Sequence, residues 1–381
     1  MIRLIAFFLV VLCSAPSGAQ QPFLIDNQPG QYAVGFRSVE QLDTSRVYGQ
    51  AAARPIQTAV WYPARAGGKP MRYDDYLALR GWDDDFTRTP QQRSKVVEDW
   101  LQSFVGADRA AQVAAERRDV LWAVRDAQPA AGKFPVVVYS PSFSSPAFEN
   151  AEMMEYLASH GYIVLASPAL GVASRGQKMD AAHVEAQAAD IRFLVAYAAS
   201  LPQADTGRVA VVGFSFGGLA NALAAAHDAR IKALVSLDGS LRYHHQLVAQ
   251  LPGLQLETLR TPLLFLAQRP APFERAARYP QDLSGGTLKR LKNADVYLVT
   301  MYAMEHPHFA TAFLRLDPLE FDEYTRDEVA RSHAASGRYV LNFLNGVLKG
   351  EPEGLAYLMK KPEQTGMPRH SSYSQFFPAR R

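Results

Sequence analysis

The chain has 381 residues, 48% hydrophobic and 20% charged, the balance of a globular protein long enough to bury an extensive core. Its formal net charge is only +3 and no run of Lys or Arg forms a basic stripe, which argues against a nucleic-acid partner. No repeat with a period of about 20–50 residues is visible, which argues against a solenoid.

Met1-Ile2-Arg3 is a short positive start, and residues 4–12 form an apolar run too short to cross a bilayer as a mature helix. Ser17-Gly18-Ala19 then offers a small-x-small site. Together they predict a signal peptide over residues 1–19, cleaved after Ala19, and a periplasmic or secreted product with no stable transmembrane segment. Cys13 is the only cysteine, and Leu12 before it is bulkier than lipoprotein sites accept. The mature chain would therefore hold no thiol for a disulfide, a thiolate zinc site or a nucleophile.

From there, short apolar runs alternate with helical stretches. Strands are expected at 57–62 ("QTAVWY"), 134–140 ("FPVVVYS"), 162–167 ("YIVLAS"), 208–214, 231–238 ("IKALVSLD"), 262–267 ("PLLFLA") and 295–302 ("DVYLVTMY"). Continuous Val/Leu/Ile runs suit parallel strands covered on both faces. Helices are expected at 150–160, 183–200, 217–227 and 338–348. The alternation predicts an α/β fold with a mostly parallel, doubly wound sheet. Residues 20–361 would form this one domain. Residues 65–133, rich in Tyr, Asp and Trp and then in polar helices, fit the alternation poorly and are expected to be an insertion, either a partial helical cap over the sheet or an excursion on its edge. Residues 362–381 are expected to be a surface tail.

The chemistry concentrates at Gly213-Phe214-Ser215-Phe216-Gly217-Gly218, between a buried strand and an alanine-rich helix. A G-x-S-x-G sequence in that setting holds a serine on a strained strand-to-helix turn, its hydroxyl at the carboxyl end of the sheet. A hydroxyl becomes a useful nucleophile only when a base takes its proton and donors stabilise the oxyanion. In the order Ser, acid, His, Asp238 ends the next strand and precedes Gly239, so its carboxylate emerges at the same edge as Ser215. The competing position, after the strand at 262–267, holds no Asp, and Glu274 lies well into a Pro-rich loop. For the base, "AMEHPHF" follows the last parallel strand and offers His306 and His308. Their H-x-H spacing also permits a metal, but no further ligands at metal spacing accompany it. His244 and His245 could line a pocket, and His160 reads as a helix C-terminal residue.

Several separated stretches resemble the α/β-hydrolases of the platelet-activating factor acetylhydrolase type, relatives of the dienelactone hydrolases. "GQYAVG" (residues 30–35) resembles that family's Gly-Pro-Tyr-x-Val-Gly with Gln31 in place of proline, and "VWYPA" (60–64) its Tyr-Tyr-Pro. "YLASHGYIV" (156–164), "GFSFGG", "ALVSLDG" and "HPHF" are similar to its later motifs, in proper order from about residue 30 to about 350. The family's base opens His-x-x-Phe, so the resemblance implies His306 and leaves His308 at a variable position. Two departures stand out. Ser140-Pro141-Ser142-Phe143-Ser144 replaces Ser-His-Gly-x-Gly, and Thr311 stands where the family often has Asp. The amides of Phe143 and Phe216 would then supply the oxyanion hole.

The resulting expectation is an exported serine hydrolase with Ser215, His306 and Asp238 as its triad, cleaving small carboxylic esters or lipids. The resemblance implies short acyl groups and neither metal nor cofactor. Trp82, Phe86 and Phe143 could line an apolar pocket or pack the core. An amide or peptide hydrolase with the same triad is the first alternative. A noncatalytic binding protein on the same scaffold is the second, although such a protein would normally have lost a triad member.

Overall fold

A computed structural model describes residues 26–106, 109–270, 286–316 and 323–380. The proposed signal peptide with Cys13, and the loop carrying Glu274, lie outside the described residues.

Eleven strands form one sheet. They are β1 (Ala33–Asp43), β2 (Arg54–Ala64), β3 (Pro70–Arg72), β4 (Val120–Arg125), β5 (Phe134–Ser140), β6 (Ile163–Ala166), β7 (Ala204–Phe214), β8 (Ile231–Leu237), β9 (Leu263–Gln268), β10 (Val296–Met301) and β11 (Ser372–Phe377). Across the sheet they run β11-β10-β9-β8-β7-β5-β6-β2-β1-β4-β3. From β6 to β10 every neighbouring pair is parallel. On the flank, β2 pairs antiparallel with both β6 and β1. This is the mostly parallel α/β sheet expected from the alternating pattern, in the α/β-hydrolase arrangement that the resemblance implies.

Side chains alternate between two apolar layers. Val136 and Val138 of β5 join the layer under the helices α5 (Ala181–Tyr197) and α6 (Phe216–His227). Val137 and Tyr139 face the other layer, with α4 (Ala151–Ser159) and the long helix Arg326–Leu344. All seven residues of β5 are buried, so its continuous apolar run reflects burial on both faces. The chain leaves β5 towards β6 on one side, and returns to place β7 on the other. That reversal opens a crevice at the carboxyl ends of β5 and β7.

Residues 65–133 take the form of an edge extension. β4 pairs parallel with β1, and β3 pairs antiparallel with β4. The helices α1 (Tyr73–Leu77), α2 (Pro90–Val105) and α3 (Ala110–Arg118) contribute to the layer that holds α4. The buried Arg315 guanidinium fastens α3 to the main body, reaching Glu116 at 2.5 Å, Asp119 at 2.7 Å and Glu152. Trp82 packs against this core under the Arg93 guanidinium, and Phe86 offers its carbonyl to the same Arg93. Among the described residues, nothing in 65–133 hydrogen-bonds to or stacks on Ser215, Asp238, His306 or Phe143.

The C-terminal residues are more than the surface tail expected. β11 pairs antiparallel with β10 over six residues, and Phe376 stacks on Tyr297 at 4.6 Å. The sequence "SYSQFF" has the mixed polarity of an edge strand, which no continuous apolar run announces.

Candidate active site

Ser215 sits between β7 and α6 with φ 53° and ψ −117°, a conformation that strains any residue carrying a Cβ. What holds it there is the closeness of the glycines. A Cβ on Gly213 would lie 2.5 Å from Asn221 Nδ2, and one on Gly217 would lie 2.1 Å from the carbonyl oxygen of Ser140. The turn is thus packed against the end of β5. The Ser215 amide donates to Leu237 O, and its carbonyl accepts from the amides of Gly218 and Ser240.

Three candidate residues meet. His306 Nε2 lies 2.9 Å from Ser215 Oγ, and Nδ1 lies 2.6 Å from Asp238 Oδ2. Asp238 is wholly buried, whereas the His306 side chain is 40% exposed, so the pair runs from the interior to an open crevice. Phe214 lies against the imidazole with ring centroids 4.9 Å apart. With Nδ1–H donating to the carboxylate, Nε2 presents its lone pair to the hydroxyl.

Asp238 has a left-handed backbone (φ 42°), which Asp tolerates better than most residues. Its Oδ1 accepts from the Tyr243 hydroxyl at 2.5 Å and from the Gln268 amide at 3.0 Å. The Gln268 side-chain oxygen also accepts from the His306 amide at 3.0 Å, so one residue at the end of β9 holds both Asp238 and His306. Burial and the neighbouring Asp238 push the Tyr243 phenol upward, keeping it a proton donor. Sequence reasoning missed Tyr243 and Gln268.

His308 lies in the interior. It is 5% exposed, and its Nδ1 accepts from the Glu305 amide at 2.9 Å while its carbonyl accepts from His333. The two histidines of H-x-H therefore serve different partners. Among the described residues no cluster of three or more His, Cys, Asp or Glu is arranged to hold a metal. His244 is half-buried, and burial, with the neighbouring His306 and His245, lowers its pKa. His245 is exposed at the start of a short helix. His160 ends α4 with Nδ1 2.8 Å from Tyr156 O, as its position before Gly161 implied.

Phe143 is 41% exposed and meets Phe216 edge to face, ring centroids 5.6 Å apart. The Phe216 amide, first in α6, has no acceptor within its helix. Of the three aromatic pocket candidates, Phe143 alone stands beside Ser215's helix.

The fold and this hydrogen-bonded serine, histidine and aspartate define a serine-hydrolase-type enzyme on an α/β-hydrolase scaffold. The family model described as X-Pro dipeptidyl-peptidase (S15 family) matches residues 120–312, half of the chain and the part that contains all three residues. The chain belongs to that family. Among solved structures it is similar to the ferulic acid esterase from Streptomyces cinnamoneus, with TM-score 0.65 and 21% identity over 94% of this chain and 100% of that one. At that identity the likeness concerns the fold. No curated protein matches the chain. The resemblance to the platelet-activating factor acetylhydrolase type is supported as far as a shared α/β-hydrolase scaffold. Its motifs mark the elbow, the acid and the base, which unrelated substrates demand equally. No helix among the described residues is long and apolar enough to cross a membrane.

Proposed function

We propose that the protein hydrolyses carboxylic acid derivatives through an acyl-enzyme on Ser215. The observation that carries this reading is the unbroken chain of contacts from Ser215 Oγ through His306 to the buried Asp238. Ser215 Oγ attacks the carbonyl carbon while His306 Nε2 takes its proton. Asp238 stabilises the imidazolium and keeps Nδ1 as the donor. The amides of Phe216 and Phe143 receive the oxyanion of the tetrahedral intermediate. Its collapse breaks the bond to the leaving group, which takes the proton from His306. Water then attacks the acyl-enzyme with His306 again as base, releasing the acid and free Ser215.

The family match favours an amide or peptide bond as the one cleaved, since an amine leaves only when protonated and His306 stands ready as acid. The second reading, esters with short acyl groups, rests on the motif resemblance. Matched nitrophenyl esters and X-Pro nitroanilides separate the two by their kcat/KM values. A fluorophosphonate probe tests the shared chemistry. Mass spectrometry should find one adduct, on Ser215, and Ser215→Ala should abolish it. Labelling of another serine, or full activity in the variant, overturns the assignment. Residues 1–19 fit this reading as an export signal, for which a mature N-terminus at Gln20 is the expected measurement.

A further inference from the structure

The segment after β5 lacks the two glycines that the sequence comparison leads one to expect, yet it must present a free amide beside Ser215. Its own hydrogen bonds explain how. The Ser142 amide donates to Glu149 Oε2 at 2.9 Å, and the Ser142 hydroxyl donates to Glu149 Oε1. On the other side, the Ser144 amide donates to Gln177 Oε1 at 2.8 Å, and the Ser144 hydroxyl accepts from the Gln177 amide at 2.8 Å. Ser144 itself is left-handed (φ 57°). The Phe143 amide, between two pinned neighbours, donates to no other described residue. Amides 142 and 144 are thus committed to fixed acceptors, and that of 143 is not.

Both anchors are built in. Glu149 is fully buried and also accepts the Tyr139 hydroxyl at 2.8 Å. Its own carbonyl accepts from the Ala312 amide at 2.9 Å and the Thr311 hydroxyl at 3.2 Å, a few residues beyond His306. The next residue, Asn150, reaches the same segment, donating to Phe309 O at 3.0 Å and accepting from the Thr311 amide at 2.8 Å. Gln177 is likewise buried. It donates to Gln187 Oε1 at 2.8 Å, and Gln187 returns to Ser140 Oγ and Pro141 O at 2.8 and 2.7 Å.

We propose that Glu149 and Gln177 are positioning residues for the oxyanion loop, holding Ser142 and Ser144 so that the Phe143 amide is fixed towards the developing oxyanion. Glu149 in addition ties that loop to the segment carrying the base. The inference rests on the reading of Ser215 as nucleophile. The need is for acceptor oxygens at fixed points, which a carboxamide also supplies. Its oxygen can face the Ser142 amide while its NH2 faces the Ser142 hydroxyl. An apolar side chain of similar size supplies neither.

The experiment compares Glu149→Leu, Glu149→Gln and Gln177→Leu with the intact protein, using the best nitrophenyl or nitroanilide substrate and a boronic acid that forms a tetrahedral adduct on Ser215. A misplaced donor acts on the transition state. Glu149→Leu is therefore expected to lower kcat and boronate affinity together by about 10²-fold, with KM within about twofold. Glu149→Gln should recover both to within about fivefold, and Gln177→Leu should show the same coupled loss as Glu149→Leu. A folded Glu149→Leu or Gln177→Leu with wild-type kcat overturns the proposal. So does a loss that Glu149→Gln fails to recover, or one that appears in KM alone. Should Glu149→Leu not fold, Gln177→Leu decides by the same readings. Wild-type protein that fluorophosphonate does not label at Ser215 instead overturns the reaction assignment itself.

Discussion

Tyr243 donates its hydroxyl proton to Asp238 Oδ1 at 2.5 Å, on the side of the carboxylate away from His306. The Gln268 amide donates to the same oxygen. Oδ1 is thus committed as an acceptor, and only Oδ2 is left to hold Nδ1 of the imidazole. The consequence for a carboxamide at this position is specific. In Asp238→Asn the oxygen must face Tyr243 and Gln268, and the NH2 must face His306. Nδ1 becomes an acceptor, Nε2 carries the proton, and Ser215 loses its base. The expected result is a folded protein whose kcat falls on the order of 10⁴-fold, the size seen when a serine protease suffers the same exchange. Tyr243→Phe removes one donor and leaves Oδ2 in place, so kcat should fall only about tenfold. Circular dichroism and steady-state kinetics of the two variants check both statements.

This arrangement also shows why part of the site was legible in the sequence. Ser215, Asp238 and His306 each follow a strand whose apolar run is continuous because both faces are covered. The strand ends could therefore be read, and the chemistry of the next residues with them. Gln268 ends such a strand, but nothing in a lone glutamine marks it as the support of both Asp238 and His306. Glu149, Gln177 and Gln187 act through contacts spanning 7 to 47 residues, on loops and helices with no periodic signature. The missed strands have a related cause. β1 is exposed or half-buried along most of its second half, and β11 lies at the sheet edge, so their polarity alternates and merges with that of loops. The path of residues 65–133, open in the sequence between a partial cap and an excursion on the sheet edge, was hidden in the same way. β4 alternates buried and exposed residues and joins the edge beyond β1.

Gly217 gives a prediction about the elbow. Its added Cβ would meet the carbonyl oxygens of Ser140 at 2.1 Å and Pro141 at 2.6 Å, both backbone atoms that no rotamer change can move. Gly217→Ala must push the turn away from the loop that carries Phe143. Overpacking of this kind costs about 1–3 kcal/mol of stability, and displacement of the oxyanion donors should lower kcat by about 10²-fold. Urea midpoints and single-turnover rates measure the two effects separately. An alanine variant with wild-type kcat would show that the elbow and the loop move together without loss.

The two histidines of "HPHF" should separate cleanly in kinetics. In the proposed mechanism His306→Ala removes the group that takes the Ser215 proton, so turnover should fall by at least about 10⁴-fold while the fold is kept. His308→Ala removes a buried ring that accepts the Glu305 amide, not a group in the crevice. Its expected signature is a lowered melting temperature, with KM close to that of the wild type. A stable His308→Ala with an altered KM would contradict the buried position.

His308 also sets a pH dependence of stability. Burial first, and then the nearby His333 and Arg269, pull its pKa down to about 4 against the charge of Glu305, from an ordinary value of 6.5. Between those values the unfolded chain binds the proton and the folded chain does not. Stability contributed by the neutral ring is therefore complete above pH 6.5 and is lost as pH falls towards 4. Glu155 works in the opposite sense. Its burial raises the carboxyl from 4.5 to about 7, so across that window the folded state holds the extra proton and stability falls as pH rises. His308→Asn keeps an acceptor for the Glu305 amide but cannot titrate. Its destabilisation relative to wild type should be largest at pH 7.5 and should shrink towards pH 4.5, by an amount on the order of 3 kcal/mol. Glu155→Gln should move the other way, gaining on the wild type as pH rises from 4.5 to 7. Urea unfolding at a series of pH values measures both differences. A His308→Asn curve parallel to the wild type would show that the ring binds its proton equally well in the folded and unfolded chains.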